Sequence, residues 1–276
     1  MPPLLTIGQT PDLIEAIRTA HHVQLDAYVL RNPFLLFSLE RAAERGASVT
    51  VRFGDPRDAV QRKGNLDAMN ALQASGAHVE IVPGYGPEST HDKVAVVDGT
   101  LYHDDRNFTT DKTETILIDR RPDAPAHYAA IKSKALDEEA NLIAKSPARD
   151  LLVSTETLGD GIVVDALLAR AKHGAHVRLM YDSSTHEPDA DVIARLRSAG
   201  VELRCTDDNH KAAIAGDVAW VGSANATSGS PSMHDWGTTL SGAPVAALRE
   251  TLEYCWSVAN DSPDAANSSV HRDPRA

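Results

Sequence analysis

Residues 90–109 read THDKVAVVDGTLYHDDRNFT, and residues 208–227 read DNHKAAIAGDVAWVGSANAT. The two stretches align without a gap, because Lys211 follows Lys93 at the same interval at which Asn225 follows Asn107. Each stretch has two apolar runs separated by a short turn with glycine, a pattern that predicts a strand–turn–strand hairpin. The chain therefore contains an internal repeat, and the repeat decides how the rest of the sequence is interpreted.

The segments before each stretch also repeat. Residues 25–55 and residues 151–182 each read as a short apolar strand, an amphipathic helix that ends at a glycine, and a β-branched strand. A second helix and strand follow in both halves. Strands that alternate with helices predict an α/β fold, with a largely parallel sheet and helices on both of its faces. Two such α/β/α units in tandem predict a pseudo-two-fold dimer within one chain.

The predicted domain boundaries follow from this repeat. The first unit spans residues 1–146 and the second spans residues 147–260. Residues 123–146 are expected to form a helix that packs at or near the junction. The tail, residues 261–276, is polar and contains proline, which predicts disorder.

Composition limits the possible functions. The chain has 276 residues, a formal net charge of −12 and a sequence pI near 5.4. This acidic balance argues against strong binding of duplex DNA through a basic surface. The sequence has no signal-peptide pattern and no transmembrane segment, which predicts a soluble, cytoplasmic protein. Its two cysteines, Cys205 and Cys255, are expected to be buried and reduced.

The side chains of the first motif indicate an anion site. His91 and Lys93 share one face of the predicted strand, while Asp92 takes the other face. Lysine binds phosphate oxygens, and histidine serves as nucleophile or proton carrier. Asn107 and Thr109 add neutral donors in the first half. In the second half, Lys211 adds a second charge, and Ser223 and Asn225 add neutral donors. The whole set is read as a cradle for a phosphoryl group and not as a set of metal ligands.

The motif HDKVAVVD followed by VGSANAT resembles the HKD signature of the phospholipase D superfamily. The resemblance covers about 90% of the chain, with one intact motif and one degenerate motif. It implies two phospholipase D-like repeats whose motifs meet at their interface, and phosphodiester chemistry through a phosphohistidine. It also implies that no metal or other cofactor is required.

The resemblance assigns roles to individual residues. His91 would be the nucleophile, and Lys93 and Lys211 would clamp the non-bridging oxygens. Asp98 would be structural, near the end of its strand. Glu114 would orient His91, with the alternative that it is an exposed edge residue. The remaining assignments are Asn107, Ser223 and Asn225 as further oxygen ligands, and Asp235 as the counterpart of Glu114.

The sequence departs from the family pattern in the second motif. Asn209 stands where the second catalytic histidine is expected, and Gly216 stands where the second aspartate is expected. Strand alternation places the neighbouring His210 on the opposite face from Lys211. Three consequences remain open: a leaving group that departs without an acid, another proton donor such as His103 or a carboxylate at residues 104–105, or loss of catalysis.

Other residues admit simpler interpretations. Asp104 and Asp105 are expected to be turn carboxylates, with a place in the site as the alternative. Glu156 lies either in the cleft or on a surface loop. Trp220 and Trp236 are expected to pack in the core or the cleft wall rather than to stack on a base.

The sequence thus predicts a phospholipase D-like phosphodiesterase or phosphotransferase that acts through His91. Its substrate would be a phospholipid headgroup, a nucleic acid or a small diester. The internal pseudo-dimer predicts a monomer. The alternative function is a catalytically impaired module that binds a phosphate ligand or a partner protein.

Overall fold

A computed structural model of the chain describes residues 4–82, 91–110, 116–125, 134–182, 188–208, 210–228 and 235–261. Within these residues there are fourteen strands and seven helices. The strands are β1 Leu5–Gly8, β2 His22–Ala27, β3 Ser48–Gly54, β4 His78–Val82, β5 Lys93–Val97, β6 Thr100–Asp104, β7 Ile116–Asp119, β8 Asp150–Thr155, β9 His176–Asp182, β10 Glu202–Thr206, β11 Ala212–Ala215, β12 Val218–Gly222, β13 Gly237–Ser241 and β14 Asn260–Asp261. The helices are α1 Thr10–Thr19, α2 Pro33–Glu44, α3 Ala59–Ala74, α4 Ala135–Lys145, α5 Ile162–Lys172, α6 Ala190–Ser198 and α7 Ala243–Val258.

The strands form two seven-stranded sheets with the same central order. The first sheet runs β1-β7-β6-β5-β2-β3-β4, and the second runs β13-β12-β11-β8-β9-β10-β14. Six strands of each sheet correspond one to one, from β2 with β8 through β7 with β13. The first sheet adds β1 beyond β7, and the second adds β14 beyond β10. The prediction of two tandem α/β repeats is confirmed.

The prediction of largely parallel sheets is wrong. Only β2, β3 and β4, and likewise β8, β9 and β10, pair in parallel, and the remaining pairs are antiparallel. The difference arises at the motif hairpins, because a two-residue turn can join only antiparallel strands. In the first hairpin this turn is Asp98–Gly99, and both residues have positive φ.

Local sequence signals set the helix ends. Asn32 caps α2, because its side-chain oxygen accepts hydrogen bonds from the backbone N–H groups of Phe34 and Leu35. Pro33 follows at the first helical position, where its missing N–H costs nothing. Gly46 follows the end of α2 with a φ of 89°, a conformation that glycine adopts without strain.

The helix α4 packs with the second half of the chain. Ala135, Leu136 and Ile143 belong to the core cluster of the second sheet. The helix also packs on α5, as α1 packs on α2 in the first half. The segment was expected near the junction and within the first unit, but its apolar face is buried against the second sheet.

The two sheets meet in a shared apolar junction. Along β5, Val94 and Val96 face this junction, while Ala95 and Val97 face the core of the first half. Strand β11 alternates in the same way. The helix α7 contributes to the same junction, in which Cys255 is buried. The inner strands are therefore buried on both faces, which explains why they read as continuous apolar runs.

Two further sequence expectations concern the cysteines and the tail. Cys205 and Cys255 are both free and buried, as predicted. The tail beyond residue 261 lies outside the described residues. None of the helices in the described ranges combines the length and hydropathy needed to cross a bilayer.

Candidate active site

The two motif hairpins are in register with each other. Val94 pairs with His103 in the first hairpin, and Ala212 pairs with Val221 in the second. These are the equivalent pairs in the ungapped alignment of the sequence. The fold therefore places the two motif lysines at equivalent points, at the start of β5 and immediately before β11.

His91 is held by a carboxylate from the other half of the chain. Its Nδ1 lies 2.7 Å from Oδ1 of Asp235. The same carboxylate oxygen accepts a hydrogen bond of 2.8 Å from Oγ of Ser223, which in turn accepts one from the backbone N–H of Trp236. We assign the proton of the neutral ring to Nδ1, because Asp235 accepts there. The lone pair of His91 is then on Nε2.

The charge state of this pair suits a nucleophile. Burial lowers the pKa of His91, and the charge of Lys93 lowers it further, although Asp235 acts in the opposite direction. Burial would raise the pKa of Asp235, but the interactions with His91 and Lys93 outweigh it and lower the pKa. A neutral imidazole is thus paired with an ionised carboxylate at neutral pH.

Two buried lysines lie beside His91. Lys93 and Lys211 are each 1% exposed. Nζ of Lys93 donates to the backbone oxygen of His91 at 2.6 Å, and Nζ of Lys211 donates to the backbone oxygen of Asp105 at 3.0 Å. Burial and the charge of Lys211 lower the pKa of Lys93 to about 8. Two ammonium groups that repel each other inside the protein form a site for an anion.

Glu156 is in the cleft and not on a surface loop. Its Oε2 lies 2.8 Å from Nζ of Lys211. Burial would raise the pKa of Glu156, but Lys211 and then Lys93 and His91 outweigh it and lower the pKa to about 2. The carboxylate is therefore ionised at neutral pH and offsets part of the lysine charge.

A second contact between the halves involves the residue after Asn209. Nδ1 of His210 lies 2.6 Å from Oδ2 of Asp105, and both side chains are fully buried. Burial would lower the pKa of His210, but Asp105 outweighs it and raises the pKa. The alternation of β11 puts His210 on the junction face, opposite the face of Lys211, as the sequence predicted. Asp105 is thus more than a turn carboxylate, because it binds the second half.

The asparagines and Asp98 have different places. Oδ1 of Asn225 accepts a hydrogen bond of 3.2 Å from the backbone N–H of Thr157, and Asn107 is partly buried at the equivalent point of the first half.

Asp98 is exposed at the far end of β5. Its carboxylate accepts hydrogen bonds from the backbone N–H groups of His21 and His22. Asp98 therefore stabilises the hairpin turn and lies outside the site.

The expected role of Ser223 needs a correction. The Ser223 hydroxyl was expected to help hold a phosphate oxygen, whereas in the structure it donates a hydrogen bond to Asp235. A hydroxyl has one proton, so Ser223 holds Asp235 in place and cannot also donate to a ligand.

Two predicted site residues lie outside the described residues: Asn209 and Glu114. The role given to Glu114, orienting His91, is performed in the structure by Asp235. The strand registers show that Glu114 and Asp235 are at equivalent positions in the sequences of the two halves. Gly237, two residues after Asp235, pairs with Gly222, and Ile116, two residues after Glu114, pairs with Asp104, the equivalent of Gly222.

Sequence reasoning missed Tyr28, which contacts the first motif. Its ring lies 4.8 Å from the ring of His91 at an interplanar angle of 70°. Nζ of Lys93 lies 5.8 Å from the same ring. The signal was present in the repeat, because Tyr28 follows β2 directly, as Glu156 follows β8.

The aromatic residues near the second motif are core residues. Trp220 and Trp236 are both fully buried, which excludes a stacking platform for a base in this conformation. Nε1 of Trp236 donates to the backbone oxygen of Asp104 at 3.1 Å, and its ring packs on His103 at 4.3 Å. Trp236 therefore joins the two hairpins.

A pH dependence of anion binding follows from the pKa of Lys93. Above pH 8, Lys93 loses the charge that attracts an anion, so we expect the Kd for sulfate to rise about tenfold per pH unit. Calorimetric titration from pH 7 to 9.5 measures this, since sulfate keeps its charge over that range. Lys93→Arg should move the rise to higher pH, whereas Lys63→Arg, on the exposed face of α3, should not. A Kd that stays flat in the wild-type protein contradicts the prediction.

Residues 140–250 match a family described as "Cardiolipin synthase, PLD-like domain". This range includes the second motif hairpin and Asp235. A search of the curated proteins returned no match. Together with the structural relatives, the family match confirms the predicted resemblance to the phospholipase D superfamily.

Two solved structures share the fold of most of the chain. Polyphosphate kinase from Porphyromonas gingivalis aligns with a TM-score of 0.66 and 14% identity, over 90% of this chain and 46% of the kinase. A variant of yeast tyrosyl-DNA phosphodiesterase aligns with a TM-score of 0.55 and 10% identity, over 86% of this chain and 89% of that protein. The chain thus spans about half the length of the kinase. Identities this low show the two-lobed phospholipase D-like fold alone.

Proposed function

We propose that the chain is a phosphodiesterase or phosphotransferase that acts through a phosphohistidine intermediate on His91 and requires no metal ion. The observation that carries this proposal is the 2.7 Å contact between Nδ1 of His91 and Oδ1 of Asp235, beside two buried lysines. A histidine oriented in this way presents Nε2 as a nucleophile. The lysines provide the positive charge that a phosphate needs.

In the first step, Nε2 of His91 attacks phosphorus, and the bond from phosphorus to the leaving oxygen breaks. The imidazole becomes positive as the N–P bond forms, and the carboxylate of Asp235 stabilises that charge. Lys93 and Lys211 contact the non-bridging oxygens, on which negative charge increases in the transition state. In the second step, water or an acceptor alcohol attacks phosphorus and releases His91.

The remaining site residues support this arrangement. Ser223 fixes Asp235, and we assign the amide groups of Asn107 and Asn225 as neutral donors to the phosphate oxygens. One site is formed between the halves, so a monomer suffices. The protein has a net charge of −12, so the substrate is a phosphodiester whose binding does not require a broad basic surface. The candidates are a phospholipid headgroup, a short or single-stranded nucleic acid, and a small diester.

One observation favours the alternative, a phosphate-binding module without catalysis. Lys211 is already paired with Glu156, and Asn209 cannot transfer a proton at neutral pH. Such a protein would bind the anion at the lysines and leave the ester intact.

A turnover assay separates the two functions. The substrates are bis-p-nitrophenyl phosphate, a short oligonucleotide and a short-chain phospholipid, each tested with and without EDTA. We expect turnover of at least one substrate to survive EDTA and to fall by roughly 10³-fold or more in His91→Gln. Mass spectrometry should find a phosphoryl adduct on the peptide that contains His91.

The control is His173→Gln, which removes an exposed histidine at the end of α5 and should leave turnover unchanged. The proposal is wrong if the wild-type protein turns over none of the three substrates. Retained binding of sulfate in that case would support the phosphate-binding module.

A further inference from the structure

Glu156 occupies the place in the second half that Tyr28 occupies in the first. In the first sheet Ala27 pairs with Lys93, and Tyr28 is the next residue. In the second sheet β8 pairs with β11 in the same manner, and Glu156 is the next residue after β8. Tyr28 contacts the motif histidine of its half. The fold therefore puts a carboxylate in the second half at the point where the first half has Tyr28 in contact with its motif histidine.

The surroundings of Glu156 connect it to both motifs. Its carboxylate binds Lys211 at 2.8 Å, and the charges of Lys93 and His91 act on it through the buried cleft. Its side chain is 19% exposed, so it is accessible to a water molecule at the cleft. A carboxylate in contact with a clamp lysine, partly exposed and close enough to His91 for their charges to interact, has the surroundings that a base acting on water needs.

The other proton carriers considered from the sequence are engaged elsewhere. His103 packs on the ring of Trp236, and Asp105 binds His210 in the junction. Asp104 is fully buried and accepts a hydrogen bond from a backbone N–H of its own turn. Asp105 meets Lys211 through its backbone oxygen, whereas Glu156 contacts Nζ of Lys211 with its carboxylate.

We propose that Glu156 is the general base of the second step, in which water hydrolyses the phosphoryl group from His91. This inference rests on the proposed function of the site. Glu156 takes a proton from water as the new O–P bond forms, and the bond from phosphorus to Nε2 breaks. His91 keeps the electron pair of that bond and returns to its neutral form. The proton leaves Glu156 for solvent when the product departs.

The same assignment restricts the substrate. A carboxylate that is ionised beside Lys211 has no proton to give in the first step, so the leaving oxygen departs as an anion. Only weakly basic leaving groups do this readily, which selects aryl phosphodiesters and phosphoanhydrides over simple alkyl diesters. Among the substrates proposed above, the assignment therefore favours a small diester with such a leaving group over a phospholipid headgroup or a nucleic acid, whose leaving groups are alkyl alcohols. The site is therefore expected to cleave methyl p-nitrophenyl phosphate and to leave dimethyl phosphate intact.

Stopped-flow release of p-nitrophenol from methyl p-nitrophenyl phosphate tests the proposal. In Glu156→Gln we expect a rapid burst of about one equivalent, followed by a steady state roughly 10²- to 10³-fold slower than in the wild type. The methyl phosphoryl adduct on His91 should accumulate in this variant and not in the wild type. Glu156→Ala should behave likewise, and added formate should restore its steady state without changing its burst.

The two proposals fail in different ways. If wild-type protein releases no p-nitrophenol and carries no adduct on His91, the proposed function is wrong, and the assignment of Glu156 falls with it. If the wild type reacts but burst and steady state decline together in both variants, with no rescue by formate, Glu156 only holds Lys211. Unchanged turnover in Glu156→Gln, or equal cleavage of dimethyl phosphate by the wild type, also overturns the assignment.

Discussion

Replacing Asp235 with Asn is expected to lower kcat on an aryl phosphodiester by roughly 10³- to 10⁴-fold, a loss of the size seen when the carboxylate behind a catalytic histidine becomes an amide. Asp235 accepts the Nδ1 proton of His91 and so fixes the lone pair on Nε2. An amide at this position can donate to Nδ1 instead, which stabilises the wrong tautomer. It also removes the negative charge that offsets the imidazolium formed during attack.

The pH profile distinguishes this role from a merely structural one. Because Asp235 acts to raise the pKa of His91, its loss lowers that pKa further. The acid limb of kcat/KM, along which His91 becomes protonated, should therefore move to lower pH in Asp235→Asn. Asp217→Asn, an equal change of charge at an exposed turn, should leave rate and profile unaltered. A variant that retains more than a tenth of wild-type kcat would show that Asp235 does not orient the nucleophile.

Replacing Asp105 with Ala is expected to reduce the free energy of unfolding by roughly 3–5 kcal/mol, because it leaves His210 buried without its carboxylate. Both side chains are fully buried, and their contact joins the two halves. Asp105 raises the pKa of His210, so its stabilising effect is complete below the ordinary pKa of histidine. It declines as the pH rises through the higher pKa of the folded state.

Urea unfolding at pH 6 and pH 9 measures this loss, and the loss should be larger at pH 6. The exposed Asp217→Ala should change stability by no more than about 0.5 kcal/mol. In a double-mutant cycle with His210→Ala, the double variant should lose less than the sum of the single losses, since no unpaired buried group remains. Additive losses, or equal losses at both pH values, would mean that the two residues do not stabilise each other.

The parts of the site that lie within one hairpin could be predicted from the sequence. The alignment of the repeats placed Lys93 with Lys211, and the strand registers reproduce that alignment. The separation of His210 from the face of Lys211 followed from the alternation of side chains along a strand. These predictions depend only on local geometry, which a periodic pattern specifies.

The contacts between the halves could not be predicted in this way. The family resemblance associated His91 with Glu114, the acidic residue that follows the first motif, whereas in the structure Asp235 of the second half contacts His91. Likewise Asp105 was interpreted as a turn residue, although its partner is His210. The periodicity of apolar residues along a strand does not indicate which loop of one sheet contacts which strand of the other. Those contacts depend on how the facing sides of the two sheets pack in the junction.

The sheet direction was mispredicted for a related reason. The helices α2 and α3 are crossover connections between parallel strands, and the alternation of strand and helix in the sequence predicts these parallel pairs. The two-residue turns at Asp98 and Gly216 reverse the chain without a helix, and four of the six strand pairs in each sheet are antiparallel. A hairpin signal in the sequence specifies the relative direction of its own two strands and not that of the strands beside them.

The buried contact between Asp105 and His210 has a consequence for the ancestry of the fold. In the alignment of the halves, Asp105 corresponds to Ser223 and His210 corresponds to Asp92. A symmetric dimer of two first halves would therefore bring Asp105 against Asp92, two buried carboxylates that repel each other. The present chain can no longer be rebuilt from two copies of its own first half. The two halves are complementary because they differ at these positions, so the buried contact requires one copy of each.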